Sequence, residues 1–282
     1  MTKIITCIDG SAITSSVARA GVWAALKLNR PLTLLHTLEK HYQHGADDLT
    51  GAIGLGAQAV LLEQLTELDE QKARLALQLG DELLQRVAAE ARNDGVEAVE
   101  TLQRHGDLIE AVMNLESDTR LIVLGRCSQQ RDNFQAIGSH IETLLRKACH
   151  PVLIVPAHFQ PPTSFMIAYD GRESADRALQ KVLEGGLLHG IDCHLVSVKN
   201  NEPELENKFQ QAASALTEKG LNVTSAWLEG DIHNALSEYQ QAHHIELMVM
   251  GAFGHSRLRQ FFVGSNTLKM IEKSPVPLII LR

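Results

Sequence analysis

Two tandem α/β domains, each a parallel sheet with helices on both faces, are what this sequence predicts, and three observations carry the prediction. The chain repeats itself: Asp9-Gly10 returns 161 positions later as Asp170-Gly171, and the stretch from Gly125 to Ser139 returns 126 positions later as Gly251 to Ser265. Within each repeat, short apolar runs alternate with segments of helical periodicity, the pattern of a sheet wound with crossover helices. Runs such as Leu121-Ile-Val-Leu124 and Leu247-Met-Val-Met250 are apolar at every position, as strands covered on both faces require. At 282 residues the chain has length for one large or two ordinary domains, and the repeat decides for two.

The first repeat opens on a strand, Lys3 to Ile8, that stops at Asp9-Gly10-Ser11; a helix follows, and the second strand passes through His36. The spacing then slips, because Gly106-Asp107 and Gly230-Asp231 lie 124 positions apart. The first repeat therefore holds a net insertion of about 35 residues between its second and third strands, within about 38–75. The inserted region contains His41-Tyr-Gln-His44, a glycine-rich turn from Gly51 to Gly56, and a helical stretch from about Ala57 to Asn93. Its Leu61, Leu65, Leu68, Leu75, Leu79, Leu83 and Val87 form an apolar stripe, which either packs on its own sheet or serves as a lid or apolar surface beside the first loop. His105 and His233 stand near the starts of the helices after Gly106-Asp107 and Gly230-Asp231. A fourth strand, the Gly125 loop, a helix and a last strand, Val152 to Val155, complete the repeat.

Residues 157–164 form a connector whose prolines, with Pro156, continue neither strand nor helix, so the expected domains are 1–156 and 165–282. The second repeat opens on Phe165 to Tyr169 and stops at Asp170-Gly171-Arg172. From Ser174 to His189, Ala175, Ala178, Leu179, Val182 and Leu183 share one face at helical spacing, with Ser174 placed to act as N-cap.

Composition removes several function classes. Aromatic residues are 4% of the chain and the net charge is −8, so it lacks both the stacking surface and the basic footprint of a nucleic-acid binder. The amino terminus carries an apolar run too short for a signal peptide, no stretch approaches the length of a membrane span, and the expected location is the cytosol. Cys7, Cys149 and Cys193 lie in or beside strand-like runs, where a reduced cysteine acts as a small hydrophobe. Cys127, inside the repeated loop, sits where a helix N-terminus lowers a thiol's pKa.

The familiar catalytic and phosphate motifs are missing. There is no P-loop and no nucleophile elbow, and no zinc-like ligand spacing is found around His41 and His44 or His243 and His244. Gly54-Leu-Gly56-Ala-Gln-Ala59 approximates a dinucleotide fingerprint but follows turn formers in place of a buried strand. What remains is an aspartate at the carboxyl end of the first strand and a glycine-bearing loop after the fourth. In an open parallel sheet the ligand crevice lies outside the carboxyl ends of the strands, where strand order reverses. If first and fourth strands are neighbours, Asp170 and the Gly251 loop share one crevice. There Gly251 and Gly254 admit a close backbone approach to ribose and phosphate, and Gly264 and Ser265 open the last helix with N–H and hydroxyl donors. Asp170, being negative, serves ribose or adenine, or a Mg²⁺ bridging to phosphates. The first repeat offers Asp9, Gly125, Gly138 and Ser139, but Ser128 stands where the second has Gly254. The extra Cβ makes that loop the less permissive cradle, although Arg126 and Arg131 keep it compatible with an anion.

Gly251-x2-Gly254-x9-Gly264-Ser265, the Asp-Gly signatures and the terminal Pro-Val-Pro-Leu-Ile-Ile-Leu281 together resemble the universal stress protein family, and Gly125 to Ser139 with His150-Pro-Val-Leu-Ile-Val-Pro156 repeats the resemblance. The resemblance implies a five-stranded sheet of order 3-2-1-4-5 in each domain and ATP or a related adenine nucleotide in the crevice. It implies nucleotide contacts from Asp170, Gly251, Gly254, Gly264 and Ser265, with backbone near Val198 facing adenine. In the first domain Asp9, Gly125, Gly138 and Ser139 match and Ser128 departs. Family members pair through their last strands, so Val152 to Val155 and Leu278 to Leu281 are expected to meet as an intrachain pseudo-dimer, with a further homodimer compatible. The expected role is stress-response signalling by nucleotide occupancy, with at most weak ATP hydrolysis because no general base stands at the loop. The alternative is a scaffold or apolar-ligand binder acting through the insertion.

Overall fold

The apolar runs become ten strands joined in one sheet. A computed structural model describes residues 2–38, 55–126, 134–200, 204–251 and 265–282. The first half contains β1 (Lys3–Cys7), α1 (Thr14–Leu28), β2 (Leu32–Leu38), α2 (Leu55–Asn93), β3 (Val99–His105), α3 (Leu108–Met113), β4 (Thr119–Gly125), α4 (Phe134–Lys147) and β5 (Val152–Val155). The second contains β6 (Ser164–Ala168), α5 (Glu173–Gly185), β7 (Asp192–Val198), α6 (Leu205–Glu218), β8 (Val223–Leu228), α7 (Ile232–Ala242), β9 (Leu247–Gly251), α8 (Ser265–Lys273) and β10 (Leu278–Leu281).

The strand order is β3-β2-β1-β4-β5-β10-β9-β6-β7-β8, so each half has the order 3-2-1-4-5 with parallel pairing throughout. The halves join where β10 runs antiparallel to β5, with Ile279 opposite Leu153. Side-chain alternation splits the core into two layers that cross this seam. Leu153 and Val155 lie with Ile279 and Leu281 under α1, α2, α5 and α6, while Val152 and Ile154 lie with Leu278 and Ile280 over α4, α7 and α8. A seam covered on both faces leaves no wet edge between the half-sheets.

Helix ends follow local chemistry. α1 stops at Asn29, whose left-handed backbone (φ 48°) turns its N–H back to Ala25 and Leu26 carbonyls. Asp107 and Asp231 cap α3 and α7 by accepting from Glu110 N–H at 2.9 Å and Asn234 N–H at 3.1 Å. α5 differs from expectation: its N-cap is Arg172, with Ser174 buried one residue inside the helix, and it ends at Gly186 in the left-handed region before reaching His189. The Asp170 carboxylate already accepts from Arg172 N–H at 3.1 Å, so the chain turns into the helix before Ser174 is reached.

The described part of the insertion is helix. α2 has 39 residues, about 58 Å at the α-helical rise, against 14 in its counterpart α6. Its carboxyl-terminal part buries Leu84, Val87, Ala88 and Ala91. Every residue from 64 to 79, by contrast, is exposed. The expected stripe therefore divides: Leu83 and Val87 pack on the body, whereas Leu65, Leu68, Leu75 and Leu79 remain open to solvent. Cys7 and Cys193 are buried and burial pushes their thiols up to about 12, while Cys149 is exposed in the turn between α4 and β5, contrary to its expected burial. No helix among the described residues is long and apolar enough to cross a membrane.

Candidate functional site

Each half reverses strand order between its first and fourth strands, at β1/β4 and at β6/β9. In the second half Ala168 lies beside Met250 in register, which brings Asp170, two residues beyond β6, next to Gly251 at the end of β9. Gly251 is packed from the other side by the first turn of α5: a Cβ there would stand 2.7 Å from the Ser174 carbonyl oxygen. Val198 ends β7 on the far side of β6, with its side chain buried. Ser265 is the first described residue of α8. Gly254 and Gly264 lie outside the described residues, as do Ser128, Cys127, Arg131, His41 and His44.

The Asp170 turn is held by polar and cationic groups. Gly171 takes a positive φ of 75°, and Arg172 places Nη1 3.7 Å from the Asp170 carboxylate. Asn200 donates to the Asp170 carbonyl at 3.1 Å, and Lys208, from α6, donates to the Gly171 carbonyl at 2.8 Å. Behind the turn, the Tyr169 hydroxyl donates to Asp176 at 2.5 Å; burial and that carboxylate hold its pKa well above the ordinary phenol value. Sequence reasoning passed over Asn200, Lys208 and Tyr169. The signal for the first two was their position, Asn200 just beyond β7 and Lys208 early in α6.

The first half keeps the frame with different occupants. Asp9 accepts from Ser11 N–H at 3.0 Å and from the Thr14 hydroxyl at 3.2 Å. His36 makes a 2.7 Å hydrogen bond with the Ile8 carbonyl, and Leu83 of α2 lies 3.4 Å from where a Cβ on Gly10 would stand. A Cβ on Gly125 would meet the tip of Ile13 at 2.3 Å. Gly138 and Ser139 lie beyond the first turn of α4, which already runs from Phe134, so the helix itself takes their N–H groups. Arg126 is engaged across the seam: its guanidinium donates to the carbonyls of Ile271 and Ser274 at the end of α8. No group of three or more His, Cys, Asp or Glu residues is arranged for a metal among the described residues.

Comparison with known proteins returns the same plan. The model of the universal stress protein family matches residues 1–156 and again residues 163–282. A universal stress protein of Synechocystis sp. is 30% identical over 287 aligned positions spanning the whole of both chains. Among solved structures, a universal stress protein from Archaeoglobus fulgidus DSM 4304 superposes with a TM-score of 0.69 over 99% of this chain and 96% of its own, at 18% identity. A functionally unknown protein from Pseudomonas aeruginosa PAO1 gives a TM-score of 0.61 over 100% of this chain and 92% of its own, at 16% identity. At these identities the solved structures speak for the fold.

Proposed function

The chain belongs to the universal stress protein family, and we propose that it binds ATP or a related adenine nucleotide in its second domain and serves as a cytosolic stress-response protein whose occupancy is the signal. The observation that carries this reading is the adjacency of β6 and β9, which sets Asp170 and Gly251 at one strand-order reversal. In this reading Gly251, Gly254, Gly264 and Ser265 cradle the phosphates, Asp170 faces the sugar or base, and the backbone at Val198 faces adenine. Arg172 and Lys208 supply positive potential beside the turn, which favours a polyphosphate over a neutral ligand. The first domain, with Asp9, Gly125, Ser128, Gly138 and Ser139, is the weaker or retasked site, because Ser128 carries a Cβ where the second domain has Gly254.

Calorimetric titration of the full chain with ATP tests the reading. Saturable binding is expected, and Gly254→Val is expected to abolish it by filling the space of backbone approach. A titration that is flat for the parent protein, or identical in the variant, contradicts the placement. The exposed leucines of α2 favour a second reading, a non-nucleotide scaffold or apolar-ligand binder acting through the insertion. Mass spectrometry of gently purified protein separates the two: a retained adenine nucleotide supports the first, a retained lipid or protein the second.

A further inference from the structure

The segment of α2 that stands clear of the body carries a heptad pattern. Leu65, Leu68, Lys72, Leu75 and Leu79 follow one another at steps of three, four, three and four, the a and d positions of a coiled-coil seam. In this structure the leucines are 42%, 45%, 59% and 64% exposed. The helix is not left to hold itself together in water, since Leu84, Val87, Ala88 and Ala91 anchor its other end in the core. Nothing comparable exists among the described residues of the second domain, where α6 buries Leu205, Phe209, Ala212 and Leu216 and stops.

We infer that this face of α2 docks on the same face of a second copy of the chain, the two helices running antiparallel. The lysine decides the direction. A parallel pair in register would set Lys72 against Lys72, two like charges at one core layer. In an antiparallel pair centred between positions 69 and 71, Leu65 meets Leu75 of the second copy and Lys72 meets Leu68. That arrangement sets each Lys72 beside Asp69 of the second copy. Within one chain, Lys72 already lies 4.0 Å from Asp69, so the two pairs merge into a four-charge cluster flanked by leucine layers. A membrane surface is the poorer occupant, because Glu67, Asp69 and Glu70 outnumber Lys72 and Arg74 along this stretch and leave no basic face. The seam from Leu65 to Leu79 is about 21 Å long, so the dimer is weak and concentration-dependent.

The test is sedimentation equilibrium of the full chain over about a hundredfold range of concentration. A reversible monomer–dimer equilibrium is expected, with Leu68→Glu and Leu75→Glu each raising the dissociation constant at least about tenfold. Both positions are exposed in the single chain, and unchanged circular dichroism and melting of the variants verify that the fold is intact. Lys72→Glu and Asp69→Lys each weaken the dimer, whereas the double variant restores it. A chain that stays monomeric throughout, or a dimer indifferent to the leucine substitutions, overturns the inference. A dimer that responds to the leucines while the double charge exchange fails to restore it overturns the antiparallel register.

Discussion

The crevice at β6/β9 and the crevice at β1/β4 share a frame and differ in what surrounds it. In the second domain the aspartate turn is clasped by Arg172, Asn200 and Lys208. In the first, the equivalent turn is held by the Ser11 N–H and the Thr14 hydroxyl, with Leu83 of the insertion helix lying against Gly10. The residue before each aspartate separates the halves as well: Tyr169 reaches Asp176, whereas Ile8 is purely apolar and lends its carbonyl to His36. Two copies of one sheet have thus diverged at the same edge, one toward cations and polar clasps, the other toward an apolar helix. The strand order is identical in both.

The comparison breaks most visibly in matched loop substitutions. Gly254→Val is expected to lower ATP affinity by at least about a hundredfold, near 2.7 kcal/mol, while Ser128→Val at the equivalent position leaves the affinity within about twofold. Titration stoichiometry near one ATP per chain accompanies this result. Two equal sites, or equal losses in the two variants, would place the halves on the same footing.

Much of this difference was legible in the sequence, and the reason is local. The apolar runs, the Asp-Gly pairs and the Gly254/Ser128 contrast are short-range patterns, so the repeat, the alternation of strands and helices and the asymmetry of the loops could all be read along the chain. Arg126 shows where that stops. Beside a glycine loop it reads as an anion-binding residue, but the antiparallel seam of β5 and β10 brings the carboxyl end of α8 within its reach. Gly138 and Ser139 read as the opening of a helix, yet α4 extends back past them to Phe134. The leucine stripe likewise had two readings that periodicity alone did not separate; burial assigns its lower end to the core and its upper end to solvent.

A smaller effect is expected where each glycine closes its loop against the first helix of its own domain. A Cβ at Gly251 would lie 2.7 Å from the Ser174 carbonyl oxygen and 2.9 Å from its carbon, backbone that cannot withdraw without moving α5. At Gly125 the nearest atom is closer, 2.3 Å, but it is the terminal methyl of Ile13, which can rotate. Gly251→Ala should therefore cost about 3 kcal/mol and Gly125→Ala about 1 kcal/mol in urea denaturation. Equal midpoint shifts would mean that the two strand ends are packed alike. Comparable to the Gly125 change is Tyr169→Phe, which removes a part-buried hydroxyl bond to Asp176 and should cost about 1 kcal/mol in the same assay.

The smallest effect concerns pH and separates β7 of the second domain from β2 of the first. His194, on β7, makes a 2.9 Å hydrogen bond with the Tyr239 hydroxyl and faces His243 with ring centres 5.6 Å apart. Burial, then the charge of His243, lower its pKa, against a raising influence from Asp192. The unfolded chain therefore binds this proton more readily than the folded one. The stability it contributes is complete above the unfolded histidine value, about 6.5, and declines as the pH falls below it. The equivalent position in the first domain is Thr33, which donates to Glu100 at 3.1 Å, and Glu100 is also paired with Lys3 at 2.8 Å. That hydrogen bond from Lys3 lowers the Glu100 pKa, so its contribution persists to lower pH and is lost only as the pH falls through the acidic carboxylate range. Melting temperatures taken from pH 8 to pH 3 should thus decline in two windows, each by a few degrees at most because both groups are partly solvated. His194→Gln should flatten the upper window alone, and Glu100→Gln the lower alone. If His194→Gln leaves the upper window unchanged, the proton taken up there belongs to another histidine, and the two domains do not differ at these equivalent positions in the way their hydrogen bonds imply.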